Sequence, residues 1–233
     1  MAEAAARADL PLRLLGGVAI AIFCPSSRRP PLARQYGDID FAIVGAVKDR
    51  VLELMESLGY RGDKGFNMLH GDRRLTFWDE RNRRQADAFL DEVNLCHRID
   101  LKRRIDNVPL TLSLADLAVL KLQVVETNEK DYLDICALFA DHPLSDDDSG
   151  VDSTYIAELA ASDWGLWRTL GMVAGHGERF ALALPGFEAA ELVAERLRNL
   201  REDLDRAPKT RGWKLRSRIG DRKRWYELPE EVN

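Results

Sequence analysis

Asp38 and Asp40 flank one apolar residue in Gly37-Asp38-Ile39-Asp40-Phe41, and a third carboxylate, Asp87, lies in Gln85-Ala86-Asp87-Ala88-Phe89-Leu90. Both stretches read as strands. Side chains alternate along a strand, so Asp38 and Asp40 share one face, about 7 Å apart, while Ile39 and Phe41 turn to the core. Two like charges held so close repel each other. The same pair suits a hard divalent cation such as Mg²⁺ or Mn²⁺. Asp87 sits inside an otherwise apolar strand, where a carboxylate is costly unless paired or metal-bound. A third carboxylate on a neighbouring strand completes the ligand set of two-metal phosphoryl transfer. Asp91 has the same parity as Asp87 and is the second choice for that role. A lone Asp-x-Asp is also compatible with a polar strand end facing water.

Two further groups could serve a phosphate. Gly16-Gly17 separates an apolar segment from a helix start, where missing side chains let backbone N–H groups approach an anion. Lys121 and the Lys130-Asp131…Asp134 cluster fall on two consecutive helical patterns. Taken singly, Gly-Gly is a loop signal, and the charged cluster is a solvated helix face with i,i+3 charge pairs.

The elements that must position these residues follow from hydrophobic period. After the apolar entry at 11–15, Val18–Ile22 reads as a short helix, and the proline- and serine-bearing Pro25–Pro31 as a loop. Asp38–Val44 is a buried strand and Lys48–Leu58 a helix. Arg74–Trp78 and Gln85–Leu90 form an antiparallel hairpin about the polar turn Asp79–Arg83. From Leu114 the pattern is helical: 114–121, 129–140, 154–161, 164–184, 187–204 and 213–225. These runs predict an α+β fold, with a small mixed sheet and flanking helices over residues 1–107. An all-helical domain over 108–233 follows it.

The chain has 233 residues, 45% of them hydrophobic and 31% charged, with a formal net charge of −5. That is an ordinary globular balance, and it argues against coating nucleic acid over the whole surface. Cys24, Cys96 and Cys136 lie far apart without a C-x-x-C, so reduced thiols in a cytoplasmic protein are expected. The apolar run Leu14–Cys24 is too short to span a bilayer, and no membrane partner is expected. The four histidines show no ligand spacing. There is no phosphate-binding G-x-x-x-x-G-K-[ST] loop and no serine-hydrolase elbow.

In order, Leu15-Gly16-Gly17-Val18-Ala19, Arg34-Gln35-Tyr36-Gly37-Asp38-Ile39-Asp40, Asp87-Ala88-Phe89 and Leu114–Asp134 resemble the motifs of a known group. They are similar to the minimal and AbiEii-type (toxin-like) nucleotidyltransferases of the DNA polymerase β-like superfamily, over residues 12–140. Val18 stands where that pattern often has Ser or Thr, and against that pattern the stretch from Gly17 to Asp38 is long, which implies that Cys24–Pro31 is an inserted, mobile loop. The resemblance implies that Asp38, Asp40 and Asp87 hold Mg²⁺ or Mn²⁺ and carry catalysis. It implies that Gly16, Gly17, Lys121 and Asp131 bind the nucleotide, Lys121 at the phosphates and Asp131 steering it. The implied reaction moves an NMP from an NTP to an acceptor hydroxyl. A toxin–antitoxin role with a cognate antitoxin follows from the same likeness.

The stretch 209–226 interleaves eight basic residues with Trp213, Trp225 and Tyr226. Such a stretch suits an RNA acceptor, its backbone and unstacked bases. A solvated helix with a few buried rings explains the same letters. A small-molecule, aminoglycoside-like nucleotidyltransferase is the alternative within this chemistry, and a non-catalytic nucleotide- or RNA-binding module is the alternative outside it.

Overall fold

The computed structural model describes residues 1–228; the last five residues of the expected helical domain lie outside the described residues. The chain forms two compact units. One comprises Met1–Ile22, Gln35–Val93 and Arg98–Ser113; the other comprises Phe23–Arg34, Asn94–His97 and the chain from Leu114. The fold class is α+β, as the alternation of periods predicts.

The first unit runs α1 (Ala2–Arg7), β1 (Leu12–Leu15), α2 (Gly16–Phe23), β2 (Asp38–Ile43), α3 (Lys48–Ser57), β3 (Tyr60–Gly62), α4 (Lys64–His70), β4 (Arg74–Asp79) and β5 (Arg84–Leu90). The short strands β6 (Glu92–Asn94) and β7 (Arg98–Asp100) follow, and the last residues of α2 and β6 pass into the second unit. The five-stranded sheet has the order β1-β2-β5-β4-β3. Only β2 and β5 pair in parallel; every other pair is antiparallel, so the sheet is mixed. One face carries Leu12, Leu14, Phe41, Ile43, Ala86, Ala88, Leu75 and Phe77, all buried, and Phe41 stacks on Phe77 with ring centroids 6.4 Å apart. Val51 and Met55, four residues apart on α3, are fully buried, as the helical period requires. The opposite face is the polar one.

Asp79 closes the β4–β5 hairpin. Its carboxylate accepts from the Asn82 amide N–H at 3.1 Å and from Asn82 Nδ2 at 2.7 Å, which keeps its pKa low. The helix α4, with Asp63 accepting from Phe66 N–H as N-cap, has no counterpart in the sequence reading, and neither do α1, β1 and β3. All are too short for a periodic signal.

The second unit contains α5 (Leu114–Leu122), α6 (Glu129–Asp141), the two-residue strands β8 (Leu144–Ser145) and β9 (Val151–Asp152), α7 (Ser153–Ser162), α8 (Trp164–Ala183), α9 (Ala190–Arg206) and α10 (Arg211–Ser217). Side-chain caps start several of these helices. Asn128 accepts from Asp131 N–H, Asp152 from Tyr155 N–H, and Asp163 from Gly165 and Leu166 N–H.

Two expectations need correction here. The start of the 24–31 segment is packed rather than a plain loop: Pro25–Arg28 form a 3-10 turn, Cys24 and Ser27 are buried, and Ser26 N–H donates to Asp141 Oδ2 of α6 at 2.9 Å. The helix expected over 213–225 ends at Ser217, because Gly220 takes φ +58° and Arg216 donates to the carbonyls of Gly220 and Lys223. Trp225 then returns to Trp164, 6.0 Å between centroids.

Among the described residues no helix is long and apolar enough to cross a membrane. All three cysteines are free and buried, and burial pushes the Cys136 thiol up to about 12.

Candidate functional site

Parallel pairing of β2 with β5 sets Asp40 opposite Asp87, and Asp38 opposite Gln85. Strands in register share their pleat, so Asp38, Asp40 and Asp87 lie on one face of the sheet. Ile39, Ala86 and Ala88 lie on the buried one. Along β2 the exposure falls inward from Asp38, which is exposed, through the half-buried Asp40 to the fully buried Phe41 and Ile43. Asp87 is the buried member, its side chain 4% exposed.

A carboxylate so buried must be compensated. Arg74 Nη2 donates to Asp87 Oδ2 at 2.6 Å, Gln85 Nε2 to the same oxygen at 2.8 Å, and Thr76 Oγ1 to Oδ1 at 2.7 Å. Arg74 and Thr76 alternate along β4 on Asp87's side of the sheet, and Thr76 is its register partner. Sequence reasoning missed these three residues. Their parity was a usable signal, but only once the order β2-β5-β4 was known.

The glycine pair stands where β1 ends. Leu15 pairs with Asp40, so the next residue, Gly16, turns beside that carboxylate. Gly16 has φ +69°, and a β-carbon built on it would lie 2.7 Å from Asp40 Oδ2. No other residue type fits both the backbone angle and the contact. Helix α2 begins here, so its positive end lies at the Asp40 carboxylate. Asp91, the second choice for the third carboxylate, instead follows β5 with φ +61° and accepts from Gly45 N–H at 3.0 Å. It caps a turn.

Lys121 and Asp131 meet in the second unit, joined by Asp134 and Arg34. Lys121 Nζ lies 2.7 Å from Asp131 Oδ1 and 2.8 Å from Asp134 Oδ2. Arg34 binds Asp134 through two nitrogens, at 2.6 and 2.8 Å. Burial works against the lysine's charge, but Asp134 and Asp131 outweigh it and hold the pKa above the ordinary value. Arg34 lies in a proline- and arginine-rich loop, and nothing in its local sequence singles it out as Asp134's partner.

Among the described residues no group of three or more His, Cys, Asp or Glu side chains stands as a ready metal cage. The donor set nevertheless fits a hard cation in kind, being carboxylates on one rigid face. Asp87 accepts three hydrogen bonds, and an ionised carboxylate offers about four acceptor positions. All three donors come from β4 and β5, and Asp38 and Asp40 stand on the neighbouring β2.

The rings of 209–226 are used for packing. Trp213 meets Trp167 edge-on at 5.1 Å, Trp225 Nε1 donates to Thr169 Oγ1 at 3.0 Å, and Arg216 lies over Trp164 at 4.5 Å. Lys209 Nζ caps carbonyls at the end of α9. Lys214, Arg218, Arg222, Lys223 and Arg224 remain exposed.

No family model matches the chain. No curated protein matches it. Among solved structures the chain is similar to the antibiotic-resistance factor ANT(2'')-Ia, with 14% identity, 93% of this chain and 88% of that one covered, and a TM-score of 0.33. It is similar to a protein of H. pylori provisionally assigned as a nucleotidyltransferase, with 12% identity, coverage of 88% and 91%, and a TM-score of 0.39. JHP933 from Helicobacter pylori gives 12% identity, coverage of 93% and 92%, and a TM-score of 0.39. At such identities and TM-scores the likeness decides neither family nor activity, which rest on the residues themselves.

Proposed function

We propose that this chain is a metal-dependent nucleotidyltransferase, moving an NMP from an NTP to an acceptor hydroxyl. The observation that carries the reading is the in-register pair Asp40–Asp87, with Asp38 on the same face and Gly16 closed against Asp40. Asp38 and Asp40 would hold Mg²⁺ or Mn²⁺, with Asp87 completing the set. A bound divalent ion supplies charge neutralisation at the α-phosphate and the leaving pyrophosphate.

The chain's own residues do the rest. Gly16 and Gly17, at the start of α2 and beside the Asp40 carboxylate, carry no side chains of their own between their backbone N–H groups and a phosphate. Asp87 is the candidate to orient the acceptor hydroxyl or to take its proton as the new O–P bond forms. The bond between the α-phosphorus and the bridging oxygen breaks, and pyrophosphate departs with those electrons. Lys121, kept charged by Asp134 and Asp131, is the proposed contact for the nucleotide phosphates.

RNA is the favoured acceptor, supported by the exposed cations of 214–224. A toxin–antitoxin setting belongs to the same proposal and predicts growth arrest on expression without its antitoxin. The test is incubation of the protein with each α-labelled NTP, Mg²⁺ and total cell RNA, beside Asp40→Asn. Label carried into RNA by the wild type alone supports the reading. Label on an aminoglycoside instead would select the small-molecule alternative, and metal-dependent NTP binding without transfer would select a binding module.

A further inference from the structure

The guanidinium of Arg74 is held with unusual care for a half-exposed residue. It lies over the rings of Phe66 on α4 and Phe89 on β5, 5.7 and 5.2 Å from their centroids. Its Nη2 is committed to Asp87, while its Nε is buried without a hydrogen-bond partner. An unsatisfied buried N–H is a cost. Here it accompanies a geometry that puts a fixed positive charge on the innermost carboxylate. A lysine would keep the charge but not the packing, since an ammonium neither lies flat on two rings nor donates in that plane.

We propose that Arg74 is the built-in counter-cation of Asp87, a positioning residue that sets how tightly the carboxylate face binds a divalent ion. The inference rests on the metal-dependent reading above. Asp38, Asp40 and Asp87 place three negative charges on one face, and Arg74 offsets one of them. Without a metal, Arg74 keeps the buried Asp87 compensated and the sheet folded. With a metal, its charge opposes the incoming ion, so binding is weak until an anionic nucleotide enters. Metal and triphosphate therefore bind cooperatively.

The test compares the full chain with Arg74→Met, Arg74→Lys, Asp38→Asn and the double variant Arg74→Met/Asp87→Asn. Mn²⁺ binding is followed by electron paramagnetic resonance, and melting temperature with and without Mg²⁺. Removing a unit charge close to a divalent ion should tighten Mn²⁺ binding by about tenfold or more in Arg74→Met. Its metal-free melting temperature should fall, and Mg²⁺ should raise it by more degrees than in wild type. Arg74→Lys, which keeps the charge, should bind Mn²⁺ near the wild-type level. The double variant buries no unpaired charge, so it should melt above Arg74→Met; that measurement serves if the single variant does not fold. Adding a non-hydrolysable NTP should tighten Mn²⁺ binding more in wild type than in Arg74→Met. Equal or weaker Mn²⁺ binding by Arg74→Met, with wild type binding and Asp38→Asn not, would overturn the role of Arg74 alone. No Mn²⁺ binding by wild type or Arg74→Met would overturn the metal reading as well. A double variant no more stable than Arg74→Met would remove the counter-charge argument.

Discussion

Gly16 and Asp40 are in such close approach that a β-carbon on Gly16 would stand 2.7 Å from the Asp40 carboxylate oxygen. The strand-to-helix turn and the carboxylate strand are thus built against each other. Gly16→Ala should cost about 2 kcal/mol or more, from the left-handed backbone and the contact together. Gly37→Ala, next to Asp38 but with open space around it, should stay close to wild type. Urea unfolding midpoints of the two variants check this, and equal midpoints would show that the contact is relaxed.

Asp38 is exposed on the rim of the carboxylate face. Asp38→Ala should leave stability within about 0.5 kcal/mol while abolishing transfer. Relief of carboxylate repulsion should show as a small gain in melting temperature of the metal-free protein. Wild-type turnover by this variant with Mg²⁺ present would end the metal assignment of Asp38.

Lys121 neutralises two carboxylates in a nearly closed network. Lys121→Met should destabilise by about 3 kcal/mol, because buried charges lose a partner; Arg34 still covers part of Asp134. The pKa of Lys121 is raised in the folded chain by Asp134 and Asp131, which outweigh burial. Its contribution is therefore full below the unfolded pKa of about 10.4 and is lost as pH rises through the higher folded value. The gap in unfolding free energy between wild type and Lys121→Met should narrow above that pH. A gap constant up to the alkaline limit of folding would refute the network's charge state.

His97 is buried, with Nε2 2.8 Å from Thr169 Oγ1, and burial lowers its pKa against the pull of Asp163 and Glu227. A depressed histidine pKa means that the unfolded chain takes up the proton first. Stability present above pH about 6.5 should fall as pH drops towards the folded value. His97→Gln should flatten that part of the profile, which thermal melts between pH 7 and 5 would show.

The exposed cations Lys214, Arg218 and Arg222 should matter only if RNA is the acceptor. Changing all three to Ala should lower the log–log salt slope of RNA binding by about 0.7 for each phosphate no longer neutralised, leaving NTP binding intact. Arg216→Ala should instead loosen the fold, since Arg216 lies over Trp164 and caps Gly220 and Lys223. An unchanged slope in the triple variant would leave the tail as packing alone.

Much of this protein is legible in its letters. Strand parity puts Asp38 and Asp40 on one face, and hydrophobic period marks β2, α3, the β4–β5 hairpin and the helices from Leu114, because side-chain direction is a local property. The sequence also marks Gly16 as a place where a side chain is absent. What it cannot express is which strand lies beside which. That Asp87 rather than Asp91 stands opposite Asp40 depends on the parallel pairing of β2 with β5, two strands well separated along the chain, and that Arg74 and Thr76 reach Asp87 depends on the pairing of β5 with β4. The same holds for Arg34 on Asp134, 100 residues apart, and for Trp213 and Trp225, whose rings the letters leave open to bases or to burial and which pack on Trp167, Trp164 and Thr169. Local patterning fixes which face a residue presents; only the packed chain decides what meets that face, because burial and ion pairing are set by neighbours in space.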